Sequence, residues 1–150
     1  MKIYNYYKST FSSVEIQKFL EKLNKIQFKE LSLVEYNLDY LEKMKPNFFY
    51  YLQMFDFTIS HLLNGEKPNQ RWIVDFGGGH GILSLYLKSK GFNVIYCDYN
   101  PTSVETAKKL SQSVGYDIDF FVQGSAKELA DIIQTNQLDV QFVISTDTIE

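Results

Sequence analysis

Cysteine is nearly absent from the sequence, since Cys97 is the only one in 150 residues. A single thiol cannot form an intramolecular disulfide, which indicates a reducing compartment rather than secretion. The N-terminus also lacks the apolar core of a signal peptide, and no apolar run approaches the ~20 residues that span a membrane. We therefore expect a soluble, cytoplasmic protein that has no membrane partner.

Neither sign of charge is in large excess, and neither is gathered into a long run. The chain has 15 basic and 18 acidic residues and a formal net charge of -3. Proteins that bind nucleic acid usually carry a basic stripe or patch, so this balance does not indicate a nucleic-acid partner. Residues with metal-ligand spacing are missing as well, and no metal is implied.

Aromatic residues, by contrast, are plentiful, with 11 Tyr and 12 Phe, many of them before residue 60. Packing inside amphipathic helices is the first interpretation of these rings, and the lining of an acceptor pocket is the second. Apolar residues recur at helical spacing over 13–26 and 31–41, and again from Pro46 towards Gly65, where glycine suits the left-handed end of a helix. We predict that residues 1–65 form a helical segment.

From Arg71 onwards, short apolar runs alternate with helical stretches, which is typical of βα units around a parallel sheet. The predicted strands are 72–76, 93–98, 118–122 and 138–144. The predicted helices are 82–90, 101–114 and a third that begins at a capping box of Ser125 and Glu128. The expected fold class is therefore α/β, with a doubly wound parallel sheet that follows the helical segment.

The strongest feature is a glycine-rich turn after the first strand, formed by Asp75, Phe76, Gly77, Gly78, Gly79, His80 and Gly81. At the carboxyl end of a parallel strand, glycine lets the backbone turn tightly and lets a ligand approach its amides. A dinucleotide fingerprint needs a third glycine at position 82, which Ile82 occupies. We interpret His80 as a solvated loop position rather than as a group that approaches a ligand.

The spacing of Asp75, Gly77, Gly79 and Gly81 resembles motif I of class I S-adenosylmethionine-dependent methyltransferases. The resemblance implies a Rossmann-like sheet with strand order 3-2-1-4 and S-adenosylmethionine as the cofactor. It also implies transfer of the sulfonium methyl group to a nucleophile by in-line displacement, which mainly requires positioning. In the family, the acid that matches Asp75 orients loop amides and lies near the methionine amino group.

A second acidic residue, Asp98, ends the second predicted strand about 20 residues after the first glycine, the distance at which an acid binds ribose hydroxyls in nucleotide folds. The same arrangement serves dinucleotides, so Asp98 alone does not separate the two ligand classes. The surrounding segment, which includes Tyr99, resembles the second motif of the methyltransferase family. That resemblance implies that Asp98 binds the cofactor ribose and that Tyr99 adjoins it.

The resemblance also places candidate contacts after the third and fourth strands. Ser125 stands where the family often has an Asp that binds the adenine amino group, and it either accepts from that amine or only caps the next helix. The Ala126 amide is a candidate donor to adenine N1. Ser145 and Thr146, with Asp147, are candidate contacts in the loop beneath the methionine group. No residue is identified as catalytic.

The resemblance covers residues 71–150, the first half of a cofactor domain that continues in the family with three further strands. We expect residues 1–65 to form a lid over the cofactor. We also expect either a longer protein or self-association through the exposed edge of the fourth strand. The predicted acceptor is a small molecule. Two alternatives stay open, a nicotinamide-dependent oxidoreductase and a non-catalytic regulatory module of the same fold.

Overall fold

The computed structural model describes residues 13–64 and 66–146, so Gly65 and Asp147 lie outside the described residues. Residues 13–64 are mainly helical, as predicted, whereas residues 1–12 of the predicted helical segment lie outside the described residues. The described part of this segment comprises α1 (Ser13–Leu23), a 3-10 turn (Phe28–Leu31), α2 (Glu35–Met44), a second 3-10 turn (Lys45–Asn47) and α3 (Phe48–Leu63). The left-handed residue that ends α3 is Asn64, with φ 47, whereas the sequence pattern assigned that conformation to glycine.

Four strands alternate with three helices in the rest of the described chain. They are β1 (Trp72–Phe76), α4 (Ile82–Lys90), β2 (Asn93–Asp98), α5 (Pro101–Val114), β3 (Phe120–Gln123), α6 (Ala126–Thr135) and β4 (Val140–Ser145). The predictions for β1, α4, β2 and α5 are confirmed. β3 and β4 begin two residues later and end one residue later than predicted. Ile118 and Leu138 are packed in the core just before the ladders begin, so their apolar character extends beyond the strands.

All four strands are parallel, and their order in the sheet is β3-β2-β1-β4. This topology confirms the predicted Rossmann-like α/β class. One face of the sheet packs in a core that includes residues of α1, α3, α4 and α5, whereas α6 covers the opposite face. Because parallel strands end at one edge, the loops after β1, β2, β3 and β4 lie along the same side of the sheet.

The N-terminal helices pack directly on the sheet domain. Phe19 of α1 meets Tyr86 of α4 edge-to-face, with ring centroids 5.4 Å apart. Asp56 of α3 is buried and accepts hydrogen bonds from the Tyr86 hydroxyl at 2.6 Å and from Nζ of Lys90 at 2.5 Å. α4 therefore links the helical segment to the glycine loop that precedes it. No helix among the described residues has the length and apolarity to cross a membrane.

Candidate cofactor site

The carboxyl ends of the strands bring the predicted site residues to one edge of the sheet. Phe76, at the end of β1, is in register with Cys97 of β2 and with Ser145 of β4. Asp98, at the end of β2, is in register with Gln123 of β3. Residues that are far apart in sequence therefore surround the glycine loop, at the edge where ligands bind in doubly wound folds.

Close packing explains two of the loop glycines. A Cβ atom on Gly78 would lie 2.6 Å from the ring of Tyr96, and one on Gly81 would lie 2.7 Å from Cβ of Ala107 in α5. Gly81 also has φ 80, a left-handed conformation that side chains disfavour. Gly79 differs, because no atom of the described residues lies within 4 Å of its Cβ position.

The loop amides are engaged within the protein. The amides of Gly77 and Gly78 donate to the carbonyl of Cys97 at 2.8 and 3.1 Å. The Gly79 amide donates to Oδ2 of Asp98 at 2.8 Å. The expectation that glycine exposes its amides to a ligand is therefore wrong for these three, since each already has a partner in the protein.

Asp75 lies beneath the loop and is 1% exposed. Its Oδ2 accepts a hydrogen bond from the Ser84 hydroxyl at 2.6 Å, and its carboxylate also accepts from the Ser84 amide in the first turn of α4. Burial raises the pKa of Asp75 to about 6. The carboxylate thus occupies the positive end of α4, which stabilises a negative charge.

Asp98 is half-buried and is held by two backbone amides. Oδ2 accepts from Gly79, and Oδ1 accepts from Asn100 at 2.8 Å. Each carboxylate oxygen has a second lone pair, so within the described part of the chain Asp98 retains two acceptor positions in a fixed orientation. Tyr99 follows it with an exposed side chain. The geometry suits a ligand that offers a pair of hydroxyl donors.

His80 is not a solvated loop residue, and that prediction is corrected. Its ring is half-buried and stacks on Tyr40 of α2, with centroids 4.5 Å apart and planes 12° from parallel. Its Nε2 lies 3.1 Å from Oδ1 of Asn37, also on α2. Burial lowers the pKa of His80. Sequence periodicity gave no sign of this contact, because it depends on how α2 packs against the loop.

The loop after β3 is fixed by a capping box, as predicted. The Ser125 hydroxyl accepts from the Lys127 amide at 3.2 Å, and Oε2 of Glu128 accepts from the Ser125 amide at 2.8 Å. Ala126 is the first residue of α6. The Gly124 amide donates to the carbonyl of Asp98 at 3.0 Å, which ties this loop to the end of β2. Capping by Ser125 is confirmed, whereas its contact with adenine stays a prediction.

The other end of the site is formed by the residues that end β4. Ser145 is the last residue of β4 and has an exposed side chain, and Thr146 follows it half-buried. Both lie on the side of β1 opposite to Asp98, so the glycine loop lies between the two groups of candidate residues.

Sequence reasoning missed several residues that hold the loop. The Tyr96 hydroxyl donates to the carbonyl of Gly79 at 2.6 Å, and Ser84 anchors Asp75. Strand alternation puts Tyr96 and Asp98 on the same face of β2, which is a usable signal. For Asn37 and Tyr40 the sequence carries no such signal, because they come from a separate helix.

The fold defines a Rossmann-like α/β domain with a glycine-rich loop after its first strand. A profile described as a methyltransferase domain matches residues 73–149, just over half of the chain. The chain therefore belongs to the methyltransferase-domain family, within the class I S-adenosylmethionine-dependent methyltransferases. The match spans β1 to the end of β4 and includes the glycine loop.

A crystal structure of a mutant of MtNAS is similar in fold. The similarity has a TM-score of 0.54 at 15% sequence identity and covers 90% of this chain and 46% of that one. The chain thus spans about half the length of this structure. Because the match covers most of the chain, it includes the N-terminal helices as well as the sheet. No curated protein gives a significant sequence match.

Proposed function

We propose that the chain binds S-adenosylmethionine at the carboxyl edge of its sheet and serves methyl transfer to a small-molecule acceptor. Residues 1–65 would act as a lid, and residues 71–150 would supply the first half of the cofactor domain. The observation that carries the proposal is the electrostatic character of the glycine loop, which differs from that of a dinucleotide site.

A dinucleotide fold places its pyrophosphate at the N-terminus of the helix after the first strand, where free amides and the helix dipole attract anions. Here Asp75 already occupies that end of α4, and the amides of Gly77, Gly78 and Gly79 have partners in the protein. A pyrophosphate would meet negative charge and no free amide from these glycines. A sulfonium cofactor carries a positive charge, which the same carboxylates favour.

The residues present fit S-adenosylmethionine, which supplies an electrophilic methyl group when it is bound. Asp98 retains two acceptor positions for the ribose hydroxyls, and Tyr99 lies beside it. The remaining proposed contacts are Phe76, Gly77, Gly78, Gly79 and Gly81 around the loop, Ser125 and Ala126 for adenine, and Ser145 and Thr146 below the methionine group. Asp75 would contribute its negative charge from beneath the loop, because its side chain is buried and accepts a hydrogen bond from Ser84.

The acceptor is proposed to be a small molecule on two grounds. α2 packs against the glycine loop through His80, so the acceptor must approach through the space that the N-terminal helices leave. The net charge of -3 also gives no attraction to a polyanion. A cytoplasmic location and self-association through the outer edge of β4 remain predictions of the sequence.

Substitution of Asp98 tests the site directly. In calorimetric titrations with S-adenosylhomocysteine, Asp98→Ala should weaken binding by roughly 10- to 100-fold, because it removes charged acceptors of ligand hydrogen bonds. The matched control is Glu105→Ala, which removes an exposed carboxylate of α5 and should leave the affinity unchanged. Equal affinity of Asp98→Ala and the wild type would remove Asp98 from the site. A wild-type protein that does not bind would contradict the proposed cofactor.

A further inference from the structure

His80 is the one residue other than glycine between Gly77 and Gly81, and its ring is clamped by α2, a helix from outside the sheet domain. Tyr40 of α2 stacks on the ring of His80, and Asn37, one turn earlier on α2, contacts its Nε2. Asn37 is a buried polar residue, and Tyr40 is 42% exposed. The N-terminal segment therefore contacts the loop through these two side chains.

The hydrogen bonds of Asn37 fix the direction of its amide. Its Nδ2 donates to the carbonyl of Thr102 at 3.0 Å and to the Thr106 hydroxyl oxygen at 2.9 Å. The Thr106 hydroxyl donates its own proton to the Thr102 carbonyl at 2.8 Å, so the hydroxyl oxygen must accept from Asn37. Both Nδ2 protons are thus used on α5, and Oδ1 is left to face His80.

This direction sets the tautomer of His80. Oδ1 of Asn37 can only accept, so Nε2 of His80 must carry the proton that joins them. In the neutral ring, Nδ1 then has the lone pair, and among the described residues no hydrogen bond reaches it. Burial favours the neutral ring, since it lowers the pKa of His80.

The residues on either side of His80 are also held by contacts within the protein. The preceding residue, Gly79, donates its amide to Asp98 and accepts at its carbonyl from the Tyr96 hydroxyl. The following residue, Gly81, packs against Ala107 without room for a side chain. The ring held by α2 therefore lies between two residues whose backbone is closely constrained, one of which orients Asp98, the proposed ribose ligand.

We propose that Asn37 and Tyr40 are positioning residues for the cofactor loop, which clamp His80 with its proton on Nε2 and thereby couple the docking of α2 to cofactor affinity. The inference rests on the proposed function, in which this loop binds S-adenosylmethionine. By linkage, the cofactor must in turn stabilise the contact between α2 and His80.

Tyrosines at two positions of α2 allow a matched test. Tyr40→Ala removes the stacking partner, Tyr40→Phe retains it, and Tyr36→Ala removes a ring that is 75% exposed one turn earlier. In titrations with S-adenosylhomocysteine, Tyr40→Ala should bind about 5- to 20-fold more weakly, within the usual range of coupling between sites. Tyr40→Phe and Tyr36→Ala should stay close to the wild type.

A second readout follows the tautomer without any ligand. The chain has two histidines, so long-range proton–nitrogen NMR can resolve His80, with exposed His61 as the internal reference. We expect a single tautomer protonated at Nε2 in the wild type and in Tyr36→Ala, and loss of this preference in Asn37→Ala. Because this effect is read at the ring itself, a general loss of stability would not reproduce it while the protein stays folded.

The outcomes separate the two proposals. If the wild type does not bind S-adenosylhomocysteine, the proposed function fails, and the coupling fails with it. If the wild type binds and Tyr40→Ala binds equally well, only the coupling is overturned. A His80 ring protonated at Nδ1 in the wild type would also overturn the clamp, whatever the cofactor affinity.

Discussion

A carboxylate buried under a backbone turn, as Asp75 is, normally costs stability unless its charge is compensated. Here Ser84 and the N-terminus of α4 compensate only in part, because burial still raises the pKa to about 6 from 3.8. At neutral pH, Asp75 is therefore a charge that the fold tolerates rather than one that stabilises it.

The pH dependence of the free energy of unfolding should show the titration of Asp75. Between pH 3.8 and about 6 the folded protein holds a proton on Asp75 that the unfolded chain has lost. Stability from this residue is therefore fully present below pH 3.8 and falls as the pH rises to about 6, by at most ~3 kcal/mol. Asp75→Asn should remove this fall and be more stable than the wild type above pH 6.

Urea unfolding across this pH range measures the effect, and Asp131→Asn on the exposed face of α6 is the control. The control should keep the wild-type slope. If Asp75→Asn has the same slope as the wild type, the buried charge does not titrate in this range.

The identity of the site residues was easier to predict from the sequence than the residues that they contact. The register of Gly77, Gly79 and Gly81 indicated the ligand class, and the capping role of Ser125 followed from its spacing to Glu128. The direction of the loop amides and the burial of His80 were not predictable, because both depend on atoms from other elements. The loop amides bond to residues of β2, and the His80 ring packs against residues of α2.

Among the elements, prediction succeeded where the sequence marks both ends. α5 begins at Pro101, with Asn100 as its cap, and ends before Gly115 in the left-handed conformation. The starts of β3 and β4 were placed too early because Ile118 and Leu138 are apolar for packing reasons alone. Apolar character marks burial, whereas strand limits depend on pairing with a neighbouring strand.

The contact between α3 and α4 provides a prediction at this scale. Asp56 is 1% exposed, and its Oδ1 pairs with Tyr86 and Lys90. Asp56→Ala would leave the Tyr86 hydroxyl without this acceptor and would leave Lys90 with Glu15, its exposed partner. We expect a loss of about 3 kcal/mol in the free energy of unfolding, because breaking a buried ion pair leaves desolvated groups unpaired.

Glu105→Ala is the control for this substitution, since it also removes one carboxylate from a lysine pair. The pair of Glu105 and Lys109 is exposed on α5, so the control should change stability by less than about 0.5 kcal/mol. Denaturant unfolding measures both variants. A loss below 0.5 kcal/mol for Asp56→Ala would show that the buried network does not hold α3 on the sheet domain.

For the whole molecule, the parallel sheet followed from the alternation of strands and helices, whereas the strand order was implied by the resemblance to class I methyltransferases. How the N-terminal helices dock did not follow from the sequence, because their apolar faces fit several partners equally well. Specific contacts determine it, such as Asn37 with His80 and Asp56 with Lys90. The first contact joins the helical segment to the glycine loop, and the second joins it to the last residue of α4.

The central claim is that the glycine loop and the start of α4 exclude a pyrophosphate and accept a sulfonium cofactor. Parallel calorimetric titrations of the wild-type chain with S-adenosylmethionine and with NAD test this claim, because the two ligands share an adenosine and differ in the charge of the group that meets the glycine loop. We expect one molecule of S-adenosylmethionine bound per chain and at least about tenfold weaker binding of NAD. Equal or tighter binding of NAD would contradict it.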